Sequence, residues 1–390
     1  MKVVVVGGAG RVGRRVVSEL VPHEGVSAVV ADRVRPDDAG QPFVGIDLGD
    51  PASIRSSIED ADVVINTSGP FDRWGAVVLD AAIAVGTHYI DVCDDPEPTL
   101  EMLERDRAAK QAGVRAVIGL GVSPGVTNYL AMVAASNLDT VDLLATFWGD
   151  PAEGVGREEA AARAEALATA FETGRAAYTH LIAQTSSEVP VWRGHAAIRE
   201  RAWRRAYRVS TSRGQTGIYR VIGHPEPVTL PRTVATRDCL NIGTVDAGTD
   251  RLMLPILDRV VANEIDPEQA LAEIARELRE NPEGIVTERR GDPLPRKIGA
   301  AAVGTRDGRR DGVVVFPGGP VDGSMSLETA RPAVVGALHI GEVPPGVHSP
   351  EDAFDAGAYM AHYARLYWGD GTAPYIVDRA GASAVVEVES

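Results

Sequence analysis

The sequence predicts an α/β protein in which an amino-terminal, doubly wound parallel sheet precedes a second α+β domain. A β-branched run at residues 3–6 leads directly into a glycine-rich turn and then into helical apolar spacing up to Leu20. Short strand patterns and helical stretches then alternate to about residue 118, as in parallel sheets with helices on both faces. From about residue 129 to 343 this alternation is lost, which indicates a second domain.

Composition limits the classes of partner. The 390 residues are 44% hydrophobic, enough for two cores, and 55 acidic against 39 basic residues give a net charge of -16. Such a charge repels nucleic acid and anionic membrane surfaces, so no nucleic acid and no membrane is expected as a partner. We therefore expect a small-molecule substrate.

Cysteine usage and the amino-terminal residues predict a cytoplasmic setting. Cys93 and Cys239 are too few for a disulfide framework. The chain enters a strand pattern at once without a leader pattern, and it contains no apolar run of membrane-spanning length.

A glycine motif predicts a dinucleotide-binding Rossmann turn. Gly8, Gly10 and Gly13 form G-x-G-x-x-G between the first strand and the first helix. In this motif the first glycine makes the tight turn, the second lets the backbone approach a diphosphate, and the third lets helix pack on strand. The helix amino terminus then faces the phosphates, so Arg11 and Val12 join the predicted cofactor contacts.

The acidic residue expected in this motif is Asp32, which ends the second strand 19 residues after Gly13. A carboxylate there accepts hydrogen bonds from ribose hydroxyls and repels a 2′-phosphate, which favours NAD over NADP. Arg33 is able to accommodate a 2′-phosphate, so NADP stays possible. The alternative is that Asp32 only ends a strand.

Polar residues at the ends of later strands are further candidate contacts. Strands are predicted at 42–45, 63–66, 89–92 and 114–118, and helices at 51–58, 74–84 and 99–112. Asp47 follows the third strand, where it is able to reach an adenine amino group. The turn after the fourth strand contains three predicted cofactor contacts, Ser68, Gly69 and Pro70. The alternative is that this segment is a plain β-turn.

The same turn, with Gly7, also fits the short-chain dehydrogenase pattern G-x-x-G-x-x-G. Those enzymes need a Tyr-x-x-x-Lys pair. Only Lys2, Lys110 and Lys297 occur, and none has a tyrosine four residues before it. That class is therefore disfavoured.

A helix is predicted over 124–135, with Ser123 as its N-cap and Pro124 at its first position. Open amides at Gly125 and Val126, helped by Thr127 and Asn128, would hold a nicotinamide carboxamide or a substrate carboxylate. The alternative is a simple capped connection between domains.

Four sequence blocks resemble the saccharopine dehydrogenase-like family, which includes saccharopine reductases, lysine 6-dehydrogenase and carboxynorspermidine dehydrogenase. The blocks are residues 8–13, 64–71, 86–91 and 119–128, and the second and fourth are the specific ones. Within them, Tyr89 is expected at the substrate and Gly121 at the cofactor. Segments 223–231 and 345–351 resemble the lysine 6-dehydrogenase side of the family. Family members often have aspartate where Ser123 stands, which leaves the substrate open.

The resemblance implies an NAD(P)-dependent dehydrogenase or reductase that acts on a CH–NH or CH–NH2 group, and a homodimer formed through the second domain. It also implies that a helical segment at 350–368 returns to the Rossmann core. The expected division is therefore 1–128 plus 344–390 for the cofactor domain and 129–343 for the substrate domain. Within the latter, a helix at 266–280 capped by Asp266 and a hairpin turning at 307–312 are predicted.

Proton transfer on nitrogen requires a titratable group, and three are candidates. Asp94 and Asp95 follow a strand and are able to attract an ammonium group, unless they cap the helix before Pro96. His224 lies in a proline-flanked turn, although a lone histidine is more often a surface group. Cys93 reads as a packed thiol.

Among the many arginines of the second domain, Arg213 and Arg232 are the candidate carboxylate clamps. Three other functions stay open: a non-catalytic NAD(P) sensor, a dehydrogenase of a CH–OH group, and a metal-dependent lyase that would use His224 and Glu226. No third ligand at helical spacing supports the last one, so no metal is predicted.

Overall fold

A computed structural model describes residues 1–36, 40–149, 155–287, 292–321 and 323–388, without the side chains of 175–177. The chain divides into two compact units. The first contains Met1–Val133, Val228–Val234 and Pro317–Ile376; the second contains Ala134–Pro227, Ala235–Phe316 and the chain from Val377 onward.

The strands of the described residues, in chain order, are β1 Lys2–Val6, β2 Ser27–Asp32, β3 Phe43–Gly45, β4 Val63–Asn66, β5 His88–Asp91, β6 Arg115–Val117, β7 Thr140–Trp148, β8 Glu188–Arg193, β9 Ala196–Arg201, β10 Ala206–Ser210, β11 Thr216–Val221, β12 Thr236–Gly243, β13 Ile298–Arg306, β14 Arg309–Pro317, β15 Gly346–His348, β16 Tyr375–Asp378 and β17 Val385–Val388.

The α-helices of the same residues are α1 Arg11–Leu20, α2 Pro51–Ile58, α3 Phe71–Val85, α4 Pro96–Leu103, α5 Asp106–Ala112, α6 Val126–Ser136, α7 Arg157–Thr173, α8 Arg175–Ser186, α9 Glu226–Thr229, α10 Ala247–Val261, α11 Pro267–Glu280, α12 Met325–Leu338, α13 Pro350–Ala353 and α14 Ala356–Tyr367. No helix in this part of the chain combines the length and apolar character that a membrane crossing requires.

The first unit is built on a parallel sheet of seven strands in the order β15-β6-β5-β4-β1-β2-β3. The four valines of β1 are at most 1% exposed, as expected for a strand covered on both faces. The predicted doubly wound sheet is confirmed. The order reverses beside β1, where β2 lies on one side and β4 on the other. Ligands of open α/β sheets bind outside the carboxyl ends of the strands at such a reversal.

The predicted helix at 99–112 is wrong in its extent, since α4 and α5 replace it. The first begins at Pro96, because proline suits the first position of a helix, and ends at Leu103. The second begins at Asp106 and ends before Gly113, which adopts the left-handed conformation with φ 70°.

The observed units differ from the division expected from the sequence. Residues 317–343 lie in the first unit because α12 packs on α1 and on strands β4 and β5. The chain from Val377 lies in the second unit because β17 pairs with β10. The returning helical segment expected at 350–368 is confirmed: it consists of α13 and α14 and lies in the first unit.

The second unit contains a mixed sheet with the order β16-β14-β13-β7-β12-β11-β10-β17, and β8 joins it through β12. The predicted hairpin is confirmed: β13 and β14 pair antiparallel around Asp307 and Gly308, both at positive φ. The predicted cap of α11 is also confirmed, because Asp266 and Gln269 form a reciprocal capping box.

Candidate cofactor and active site

The glycine turn between β1 and α1 leaves a helix amino terminus exposed. Gly10 is the N-cap residue and supplies no side chain to the helix amides, and the first turn contains no acidic residue. Gly10 and Arg11 are both exposed. An exposed helix start of this kind favours an anion such as a diphosphate.

Steric contacts distinguish the roles of the three glycines. A Cβ atom on Gly13 would stand 2.2 Å from the Gly7 carbonyl oxygen, and one on Gly8 would stand 2.7 Å from the Val5 carbonyl oxygen. A Cβ atom on Gly10 would meet only the Gly7 oxygen, at 3.1 Å. Gly8 and Gly13 are therefore needed by the protein's own packing, whereas Gly10 leaves room for a ligand.

Asp32 lies against the same turn. Its Oδ2 accepts a hydrogen bond from the Ala9 amide at 3.0 Å, and its Oδ1 accepts one from the Arg33 amide at 2.7 Å. Asp32 is half-buried and the Arg33 side chain is exposed. Asp47 is exposed, and its Oδ1 accepts the Gly49 amide in the turn before α2. Asp32 thus contacts the phosphate-binding turn that the sequence motif pairs it with.

Asn66, at the end of β4, organises the neighbouring turn. Its Oδ1 accepts hydrogen bonds from the Ser68 amide and hydroxyl, and its Nδ2 donates to the Tyr89 hydroxyl at 3.2 Å. Gly69 and Pro70 stay exposed at the start of α3. Tyr89 is fully buried, so its side chain supports the turn from behind. The sequence had suggested this side chain for contact with the substrate.

Asp91 was not among the sequence candidates, although it ends the 86–91 block. The side chain is fully buried at the end of β5, and its Oδ1 accepts the amides of Cys93 at 3.0 Å and Gly119 at 2.7 Å. Oδ2 is buried and forms no hydrogen bond. Burial, with a smaller effect from the Asp94 charge, raises the pKa of Asp91 to about 6. The carboxylate ties β5 to the loop that follows β6.

Two further carboxyl groups follow Asp91 at the same strand end. Asp94 and Asp95 are both half-buried. Asp95 occupies the N-cap position of α4, but its side chain makes no capping hydrogen bond, so the expectation that it caps this helix is wrong. Cys93, directly before Asp94, is a packed thiol, as predicted, and burial raises its pKa well above its ordinary value.

The predicted geometry of the 119–128 segment is wrong in two respects. Helix α6 begins at Val126 and not at Pro124, and the amides expected to be open are occupied. The Gly125 amide donates to Asn128 Oδ1 at 2.8 Å, and the Val126 amide donates to the Gly121 carbonyl at 3.1 Å. The cause is that Gly125, at φ 120°, folds the chain so closely onto Gly121 that no Cβ atom would fit.

A buried glutamate stands behind this loop. Asn128 donates through Nδ2 to Glu351 Oε2 at 2.7 Å, so both ends of its amide are engaged. Glu351 Oε1 and the Tyr129 hydroxyl are buried without a hydrogen-bond partner. Burial raises the pKa of Glu351 to about 7 and that of Tyr129 well above its ordinary value. Thr127 is also fully buried.

In the second unit, His224 belongs to a buried polar cluster, so the surface alternative for it is wrong. His224 is 4% exposed, its Nδ1 lies 3.6 Å from Glu226 Oε2, and its ring lies 5.4 Å from that of Trp148. Glu226 Oε1 accepts a hydrogen bond from Asn241 Nδ2 at 2.9 Å. The sequence placed His224 and Glu226 in the same proline-flanked turn, but it gave no sign of Trp148 and Asn241, which come from the distant strands β7 and β12.

The two candidate arginine clamps lie in different units and are both exposed. Arg213 lies in the turn between β10 and β11 of the second unit. Arg232 ends a short 3-10 helix, Leu230–Arg232, in the first unit, and its charge contributes to lowering the pKa of Asp352, after the larger effect of His348.

Comparisons with known proteins agree with this architecture. Residues 3–117 match the family model of the saccharopine dehydrogenase NADP binding domain. The structure of apo histidine-tagged saccharopine dehydrogenase (L-Glu forming) from Saccharomyces cerevisiae matches with a TM-score of 0.60 at 12% identity, covering 99% of both chains. At this identity the match shows the fold.

Two further likenesses are partial. A Caenorhabditis elegans protein named lipid droplet localized protein is 30% identical over 138 residues, which cover 30% of this chain and 32% of that protein. The match therefore spans about a third of the relative. Uronate dehydrogenase from Agrobacterium tumefaciens is 22% identical over 24% of this chain and 40% of its own, with a TM-score of 0.21.

Proposed function

We propose that this chain is an NAD(P)-dependent oxidoreductase of the saccharopine dehydrogenase-like proteins, acting on a carbon–nitrogen bond of an amino acid or related amine. The match of residues 3–117 to the NADP binding domain of that family and the shared fold support the proposal. The observation that carries the proposal is the set of carboxyl groups at the end of β5. Because β5, β4 and β1 are neighbouring parallel strands, these groups share one sheet edge with the glycine turn.

The residues at this edge fit a dinucleotide. Gly10 and the exposed start of α1 suit the diphosphate, Asp32 suits the adenosine ribose, and the exposed Gly69 and Pro70 lie after β4 at the same edge. When bound, the nicotinamide accepts or donates the hydride. The protein's part is to hold the substrate, orient its carbon and move a proton.

Asp94 and Asp95 are proposed to attract a substrate ammonium group and to carry its proton. Both are half-buried, so they are closer to solvent than Asp91. Asp91 is enclosed and holds two backbone amides, which suits a positioning role for the strand end and the following loop. Oxidation of the amine requires a neutral nitrogen, so a nearby carboxylate that accepts its proton assists the step.

The support for an amine over an alcohol comes from two sources. The solved relative that covers the whole fold is named for saccharopine, a secondary amine, and the local carboxylates favour a cationic substrate. The proposal extends to a cytoplasmic homodimer. Cys93 and Cys239 are both buried and not disulfide-bonded, which agrees with a reducing compartment.

The first test is a spectrophotometric screen at about 340 nm, the absorption of reduced nicotinamide, with NAD and NADP against lysine, ornithine, saccharopine and polyamines in both directions. With the responding substrate, Asp94→Asn should lower kcat/KM by about 10²-fold to 10⁴-fold, the usual contribution of a proton-transfer group. Asp60→Asn, an exposed change on the first unit, is the matched control.

Two outcomes would contradict the proposal. One is turnover of alcohols or aldehydes with no response to any amine, which would favour the CH–OH alternative. The other is binding of either cofactor without any turnover, which would favour a sensor. If an amine is oxidised and Asp94→Asn and Asp95→Asn both retain the full rate, the reaction stands and the assigned proton carriers are wrong.

Asp32 should decide the choice between the two cofactors, and we propose NAD as the preferred one. Asp32→Ser removes the charge that repels a 2′-phosphate and leaves the exposed Arg33 to attract it. The ratio of NADP to NAD affinity should rise about tenfold, equivalent to roughly 1.4 kcal/mol. Calorimetric titration of both cofactors measures this ratio, with the exposed Asp60→Ser as the control. An unchanged ratio in Asp32→Ser would remove Asp32 from the ribose site.

A further inference from the structure

We propose that His339, Glu342 and His362 form a zinc site in the first unit that fastens the end of α12 to α14. His339 follows the last residue of α12, Glu342 ends the short 3-10 helix Ile340–Glu342, and His362 lies within α14. One potential ligand atom from each residue lies within 4.8 Å of the other two. Two imidazoles and one carboxylate form a ligand set typical of zinc.

The geometry brings these groups together. His339 Nδ1 lies 2.8 Å from Glu342 Oε1, and the two imidazole rings stack with their centroids 3.8 Å apart at 27°. Ligand atoms on a tetrahedral zinc, at about 2.1 Å from the metal, are about 3.4 Å apart. Stacked imidazoles direct their in-plane nitrogen lone pairs side by side, so binding of one ion requires an imidazole to turn out of the stack and Glu342, with 56% of its side chain accessible, to rotate with it.

The charge of the site also suits a metal, since zinc binds imidazole in its neutral form and Glu342 supplies a negative charge beside the two rings. Two stacked imidazoles cannot both carry a proton without repulsion, whereas a shared divalent ion is attracted to both and to the carboxylate.

The position of the site assigns it a structural role. Val343, directly after Glu342, accepts a hydrogen bond through its carbonyl from Arg115 Nε at 2.7 Å. Arg115 is the first residue of β6, so the site lies at the amino-terminal edge of the parallel sheet. The glycine turn lies at the carboxyl edge. An ion here would brace two helices of the fold and leave the cofactor contacts unchanged.

Titration of tag-free, metal-stripped protein with Zn²⁺ and Co²⁺ tests the proposal. We expect one ion per chain, visible Co²⁺ absorption bands and a higher Tm with Zn²⁺. His362→Gln and His339→Gln should each lose the bands and the Tm increase, and Glu342→Gln should weaken binding at least tenfold. Circular dichroism and cofactor titration of each variant show that the fold is retained.

His23→Gln removes another histidine of the first unit and serves as the control, which should bind one ion as the wild type does. The proposal is overturned if the wild type binds no Co²⁺ or Zn²⁺ in a one-to-one ratio. It is equally overturned if one-to-one binding persists in folded His339→Gln and His362→Gln. Neither result bears on the oxidoreductase proposal, because the readouts require no turnover.

Discussion

Replacement of Gly13 by alanine is expected to abolish cofactor binding and to destabilise the first unit. The added Cβ would stand 2.2 Å from the Gly7 carbonyl oxygen and 2.7 Å from the Gly8 Cα. Gly7 has little freedom to move, since it sits at φ 75° and its amide is bonded to the Ala31 carbonyl. Overpacking against a fixed backbone costs about 1–3 kcal/mol or more. Urea unfolding and calorimetric titration with NAD and NADP measure the two losses.

Gly10→Ala should lower cofactor affinity without lowering the stability of the fold. Its Cβ would meet the Gly7 oxygen at 3.1 Å, so the unfolding free energy should stay within about 1 kcal/mol of the wild type. Cofactor affinity should nevertheless fall, because the methyl group stands where a diphosphate approaches the backbone. Gly357→Ala, in the first turn of α14, is the control: its Cβ would meet only Asp355 Oδ1, at 3.4 Å, and cofactor binding should be unchanged. Wild-type affinity in Gly10→Ala would contradict a diphosphate site at this turn.

The cofactor half of the site was predictable because its signals are local. The spacing of Gly8, Gly10 and Gly13 and the position of Asp32 follow from one βαβ unit, and each residue lies within a few residues of the element that positions it. Strand patterns located the sheet for the same reason. The expected and observed bounds of β4, residues 63–66, coincide.

The hydrogen bonds that hold the loops around the site were not predictable, because they join residues far apart in sequence. Asn128 and Glu351 are 223 residues apart, yet they are joined by a hydrogen bond. Because of this bond, the side-chain amide of Asn128 stabilises the fold and is not open to a ligand. The Gly125 conformation likewise closes amides that a capped helix would leave open. From the sequence, Asp91 is only the polar last residue of a strand. Its role as acceptor of the Gly119 amide is found only in the structure.

The unit boundaries were missed for a related reason. The segment at 317–343 shows no Rossmann alternation, and α12 is assigned to the first unit only by its packing on α1, β4 and β5. His339 and Glu342 therefore fell within the segment expected to form the substrate domain. Their proximity to His362 becomes visible only when α12 and α14 are placed side by side.

Glu351→Gln is expected to change the pH dependence of stability more than any other single substitution at the site. The pKa of Glu351 is raised from its ordinary value of 4.5 to about 7, chiefly by burial. Between these values the folded protein holds a proton that the unfolded chain releases. The wild type should therefore lose stability as pH rises from about 4.5 to about 7, by about 3 kcal/mol at roughly 1.4 kcal/mol per pKa unit.

Glutamine keeps an oxygen that accepts the Asn128 amide, and it cannot ionise. Urea unfolding from pH 5 to pH 8 should show a flatter profile for Glu351→Gln, and at pH 8 the variant should be more stable than the wild type. Asp91, whose pKa is about 6, also lowers wild-type stability as pH rises, but it is retained in the variant and contributes equally to both profiles.

Glu59→Gln, an exposed change on the same unit, is the control and should leave the profile as in the wild type. Parallel profiles for Glu351→Gln and the wild type would mean that Glu351 titrates near its ordinary pKa in the folded chain. In that case its carboxylate would be ionised at neutral pH, and the buried Oε1 would need a cationic or hydrogen-bonding partner at the loop. A flattened profile instead identifies a neutral carboxyl group behind the 119–128 loop, whose ionisation would weaken the support of that loop as pH rises.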